Sequence, residues 1–104
     1  MTLTQKTNND IHIQGNIKTT DDYLSIKNAV NTQMAAGRNC VTFLIEDSLS
    51  MPSSIIGYFI KLIHHDKVTV NMLIGEVRLY ELLEELNLVA LFNARVTQLS
   101  PAVH

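Results

Sequence analysis

Cys40-Val41-Thr42-Phe43-Leu44-Ile45-Glu46-Asp47-Ser48-Leu49-Ser50-Met51-Pro52-Ser53-Ser54-Ile55-Ile56-Gly57-Tyr58-Phe59-Ile60-Lys61-Leu62-Ile63-His64-His65 reads as a strand, a loop and a helix in succession. The first six residues form a short apolar run rich in branched side chains, too short for a typical helix. They predict a central strand covered on both faces, as in a mostly parallel sheet. Glu46 to Ser50 is then the loop at that strand's C-terminal end, the edge where sites concentrate in open α/β sheets. Pro52 suits a first helical turn, where its missing N–H costs nothing, and Ser50 is placed to cap it. Ile55, Ile56, Phe59, Ile60 and Ile63 recur at helical spacing and predict one buried stripe. Gly57, Tyr58 and Lys61 fall away from that stripe. The helix is therefore expected to present Ser53, Ser54, Gly57 and Tyr58 near an exposed beginning.

Upstream, residues 1–17 read as a hairpin. Ile11 and Ile13 alternate with His12 and Gln14, and Asn8-Asn9-Asp10 is turn chemistry. Residues 1–8 carry one large apolar side chain, Leu3, apart from the initial Met, and suit an edge strand or a frayed N-terminus. Thr19-Thr20-Asp21-Asp22 signals a helix start, with a threonine cap and acids in the first turn. Tyr23, Ile26, Val30 and Met34 share a face, and Gly37 stops the helix near residue 36.

Downstream, Asp66-Lys67 turns into a second buried strand from Val68 to Ile74, broken by Gly75. A third helix from Glu76 to Leu86 carries Leu79, Leu82, Leu83 and Leu86 as its core stripe. Its wet side is Glu81, Glu84 and Glu85, and Asn87 caps it. Leu88, Leu91 and Phe92 dock a final turn, Arg95–Leu99 is a last short strand or helix, and residues 100–104 are a tail. Strands separated by helices need crossovers, which favour parallel pairing. The expected fold is a single small α/β domain over residues 1–104, its mixed, mostly parallel sheet carrying helices mainly on one face.

The bulk figures agree with a packed domain. The chain has 104 residues, 46% of them hydrophobic and 17% charged, which suits one domain with a real core. A formal net charge of −2 with scattered Lys and Arg gives no pull toward nucleic acid. One cysteine, Cys40, allows no internal disulfide and reads as core. Neither a secretory leader nor a run long enough to insert in a membrane is visible, so a cytoplasmic protein is expected. A monomer or weak dimer is expected.

The candidate chemistry is narrow. Ser53 and Ser54 read most simply as helix-start residues. His64-His65-Asp66 invites a metal reading, with His12 as a remote helper, but adjacent helical residues diverge, and zinc needs converging ligands. Asp47, Ser48 and Ser50 lie near a strand end without a nucleophile elbow or a histidine tied to them. No phosphate-cradling glycine loop is present. Neither a catalytic residue, a cofactor nor a metal is expected.

The element order, with a serine pair opening the helix after the central strand, resembles the STAS family, which includes the anti-sigma factor antagonists of bacterial partner-switching systems. The resemblance covers about residues 9–96. Ser53-Ser54-Ile55-Ile56-Gly57 is similar to the family's Asp-Ser-Ser-Gly-Leu-Gly, with Pro52 in place of the aspartate and Ile55 in place of the first glycine. The loop from Glu46 to Ser53 is shorter than usual for the family. Val68 to Gly75 looks like the family's strand, and Val77-Arg78-Leu79-Tyr80-Glu81-Leu82-Leu83-Glu84-Glu85-Leu86-Asn87-Leu88 looks like its third helix, with Asn87 where the family has glycine. The resemblance implies a non-enzymatic regulator that binds a serine kinase/anti-sigma factor and is reset by a phosphatase. The phosphorylated residue would be Ser53, with Ser54 the alternative. The partner surface would include Asp47, Ser48, Ser53, Ser54, Ile56, Gly57 and Tyr58, and the output would be stress or biofilm control. The alternative it implies is a constitutive accessory subunit of an ABC-type membrane transporter.

Overall fold

The computed structural model describes residues 1–5 and 10–97. Residues 8 and 9 of the expected hairpin turn, and the tail from Ser100, lie outside the described residues. Strands β1 (Thr2–Gln5), β2 (Asp10–Gln14), β3 (Cys40–Ile45), β4 (Thr69–Ile74) and β5 (Ala94–Val96) form one five-stranded sheet in the order β1-β2-β3-β4-β5. β1 pairs antiparallel with β2, and the other pairings are parallel. Helices α1 (Thr20–Ala35), α2 (Ser53–His64) and α3 (Val77–Glu85) make the three crossovers. Each crossover leads to the next strand along the sheet, so a constant crossover hand places all three helices on one face. The fold is the small α/β domain that the sequence predicts.

The core lies between that face and the helices. Ile11, Ile13, Val41, Phe43, Ile45, Val70, Met72 and Ile74 are all buried beneath it. Phe59 of α2 packs on Phe43 at 4.8 Å between ring centroids and edge-on to Phe92 at 5.9 Å, tying helix, sheet and final turn together. Among the described residues no helix or strand covers the opposite face. β3 and β4 alternate buried with half-buried or exposed residues, which corrects the expectation of strands covered on both sides. Their apolar runs mislead because Cys40, Leu44 and Leu73 continue the pattern on the half-buried side.

The helix ends follow local chemistry. Thr19 and Asp22 form a reciprocal capping box. The Lys18 and Thr19 N–H groups donate to the Asp22 carboxylate, and the Lys18 bond leads in holding its pKa below the usual value. Gly37, with φ +86°, and Asn87, with φ 59°, both take the left-handed conformation that closes α1 and α3. After α3, Asn87 N–H donates to Glu84 O and Leu88 N–H to Leu83 O, the paired bonds of a Schellman stop.

Two stripes are rotated from the expected ones. α2 buries Ile55, Tyr58, Phe59 and Leu62, while Ile56, Ile60 and Ile63 are only partly buried. With so many apolar residues, α2 has several stripes of similar quality, and the crossover geometry selects one. In α3, Leu79 and Leu83 are buried, Leu82 is partly buried and Leu86 is 47% exposed. No described helix is long and apolar enough to cross a membrane.

Candidate functional site: the C-terminal edge of the sheet

Parallel β2, β3 and β4 end at one edge, and α1, α2 and α3 begin there. The β3–α2 loop is held against the β2–α1 loop by three side-chain bonds, with a fourth inside the β3–α2 loop itself. Gly15 N–H donates to Asp47 Oδ1 at 2.6 Å, and Leu49 N–H to Asn16 Oδ1 at 2.8 Å. Ile17 N–H donates to Ser48 Oγ at 3.2 Å, and that hydroxyl donates to Ser50 O at 2.7 Å. Ser48 is fully buried, so it shapes the loop from within rather than meeting a partner. Asp47 remains exposed, although its carboxylate is engaged by the Gly15 amide. On the other side, a Cβ at Gly75 would collide with the Glu46 carbonyl oxygen, so the β4–α3 turn approaches this loop as only glycine permits.

This scaffold holds Ser53 and Ser54 at the first two positions of α2, both exposed. The cap is Pro52, in extended backbone at ψ 149°, and not Ser50. Proline has no side-chain acceptor, so no side chain caps the helix, and its first turn contains no acid. Ile55 and Ile56 N–H groups bond the Pro52 carbonyl. The serine hydroxyls thus stand at the positive end of an uncapped helix dipole.

Around them the expected surface changes composition. Gly57 is exposed, and a Cβ there would meet nothing within 4 Å. Ile56 is partly buried against the core. Tyr58 is only 8% exposed and packs edge-on against Tyr23 at 5.7 Å, so it belongs to the α1–α2 contact and not to the outer surface. Its buried hydroxyl has no hydrogen-bond partner among the described residues, and burial first, then the Tyr23 and Asp66 charges, push its pKa up to about 12.

Sequence patterning missed the apolar part of this edge. Of the exposed large hydrophobic residues, Leu24, Leu49, Val77 and Val96 belong to the opening turns of α1 and α3, the β3–α2 loop and the end of β5. All four are 43 to 50% exposed. They fall outside the predicted stripes, and that is the signal that could have found them.

The described histidines do not converge. His65 caps the far end of α2 and its Nδ1 lies 2.9 Å from Asp66, while His12 sits on the open sheet face, its Nε2 3.0 Å from Glu46. Among the described residues no group of three or more His, Cys, Asp or Glu side chains could hold a metal ion. A shallow cavity of about 330 Å³, lined by Ile63, Lys67, Val68, Thr69, Val70, Leu91 and Asn93, opens at the opposite edge, away from the serines. Comparison with protein-family models, curated proteins and solved structures finds no match.

Proposed function

We propose that this chain is a stand-alone, non-enzymatic regulator of the STAS type, which docks a protein partner at the C-terminal edge of the sheet and is switched by phosphorylation of Ser53. The observation that carries the reading is the exposed Ser53 at the first position of an uncapped helix, on an edge that also bears Leu24, Leu49, Val77 and Val96. Four of the five exposed large hydrophobic side chains among the described residues belong to elements at this edge, which favours protein contact there over a solvated role. The partner class is a serine kinase that doubles as an anti-sigma factor, opposed by a separate phosphatase. The kinase would transfer the γ-phosphoryl group of ATP to Ser53 Oγ, releasing ADP and the hydroxyl proton.

The switch follows from electrostatics. A phosphate adds about −1.5 to −2 charge at neutral pH, which the helix N-terminus and its free N–H groups tolerate. The fold would survive, but a docked partner would have to desolvate that charge without a matching cation, so the complex should separate. Ser54, one position further along, is the alternative acceptor.

The test is capture from the native host with tagged wild-type protein and Ser53→Asp. An ATPase-type kinase retained by the wild type and lost from the variant is the expected result. Melting of the variant should be unchanged or raised, because a carboxylate in an acid-free first turn is worth about 0.3–1 kcal/mol. If both forms retain the same transporter subunits, the switch reading fails and a constitutive accessory role in a membrane transporter replaces it.

A further inference from the structure

The open face of the sheet carries a self-complementary pattern, independent of the serine edge. The ladder register aligns His12, Leu44, Leu73 and Arg95 in one row across β2, β3, β4 and β5. Asp10 lies on the same face two residues before His12, and Glu46, just past the end of β3 and two residues after Leu44, bonds His12 at 3.0 Å and Gln14 at 3.4 Å. The row therefore runs from an acid-bearing flank, through two half-buried leucines, to a cation. Arg95 is exposed, with no ion pair among the described residues.

The geometry points to a face-to-face homodimer on this surface, with its two-fold axis running along the strands between β3 and β4. Rotation about that axis preserves height along the strands and exchanges β2 with β5 and β3 with β4. Leu44 of one copy then lies over Leu73 of the other, and Arg95 lies over the His12–Glu46 pair, at both ends at once. The alternative two-fold axis, across the strands through this row, stacks Arg95 on Arg95, which like-charge repulsion disfavours, and takes Arg95 away from the His12–Glu46 pair. Facing sheets lie about 10 Å apart, a gap that two leucines, or an arginine and a glutamate, span. Four strands at about 4.8 Å spacing and five residues at about 3.3 Å each cover roughly 300–400 Å² per copy. The total of roughly 700 Å² lies below the 1,200 Å² or so of stable interfaces, so the dimer is weak and concentration-dependent. It leaves Ser53 and the C-terminal edge open, and β1 overhangs the partner.

Sedimentation of the full chain at low salt, from about 10 μM to 1 mM, tests this. The mass should rise from 11.7 kDa toward twice that value. Arg95→Glu and Glu46→Arg should each stay monomeric over the same range, and the double variant should recover the dimer. Leu73→Lys, on the open face, should also remain monomeric, with circular dichroism and melting showing every variant folded. A wild-type chain that stays monomeric at 1 mM overturns the proposal. So does a dimer that survives Arg95→Glu, or one that Val77→Lys at the other surface abolishes.

Discussion

Tyr58 is the residue whose chemistry and position disagree most. Its ring is useful, joining Tyr23 of α1 to Phe59 of α2 through aromatic contacts of 5.7 and 5.9 Å. Its hydroxyl is not, because it is buried with no partner among the described residues. A desolvated donor left unpaired costs about 1–3 kcal/mol, whereas removing it leaves the ring contacts in place. Tyr58→Phe should therefore raise stability by about 1 kcal/mol at pH 7, read as a higher urea midpoint. The same substitution tests the titration. The folded pKa, about 12, lies above the ordinary value of 10.0, so the folded state keeps the proton that the unfolded chain releases. This contribution is fully present below pH 10 and is lost as pH rises from 10 to 12. Wild type should lose more stability than Tyr58→Phe over that window. Equal losses in the two proteins would mean that the hydroxyl finds a partner or reaches water.

At the scale of elements, α2 shows what a linear pattern can and cannot supply. Its existence, its length and the exposure of its opening serines are legible from Pro52, Ser53, Ser54 and the apolar spacing that follows. Its rotation is not, because Ile55, Ile56, Phe59, Ile60, Leu62 and Ile63 supply more apolar surface than one helix face can bury. Only packing against Phe43 and Phe92 decides between faces, and those residues are distant in sequence. The threonine cap of α1 and the stop of α3 at Asn87 were legible because both are local chemistry. Gly57 was legible as an outward residue and is the helix's exposed weak point. Glycine within a helix costs about 0.5–1 kcal/mol relative to alanine, and here the added methyl has open space. Gly57→Ala should raise the melting temperature, and if the α2 start is the docking surface, it should also weaken partner capture. A variant that is both more stable and equally well captured would remove Gly57 from the interface.

At the scale of the molecule, the order of elements and the one-sided layering follow from alternating strand and helix patterns, while the assembly of the edge does not. Asp47 and Ser48 lie in the loop that follows β3, as their place in the sequence implies, yet their bonds to Gly15 and Ile17 unite loops 31 to 32 residues apart, which no local spacing records. The same long-range logic makes the core a single unit. Phe59 is fully buried and touches rings from β3 and from the turn before β5, so it links every layer that carries the edge. Truncating a buried phenylalanine to alanine costs about 3–5 kcal/mol through lost transfer energy and the cavity left behind. A domain of this size holds about 5–15 kcal/mol in total. Phe59→Ala should therefore consume a large share of the stability and move the urea midpoint far down, with the slope of the transition unchanged if the domain still unfolds in one step. Probes at the two ends of the sheet, one beside Ser53 and one in β5, should report the same midpoint. Two separated midpoints would show that the serine edge can melt without the rest, so that a docking edge there would order only on binding.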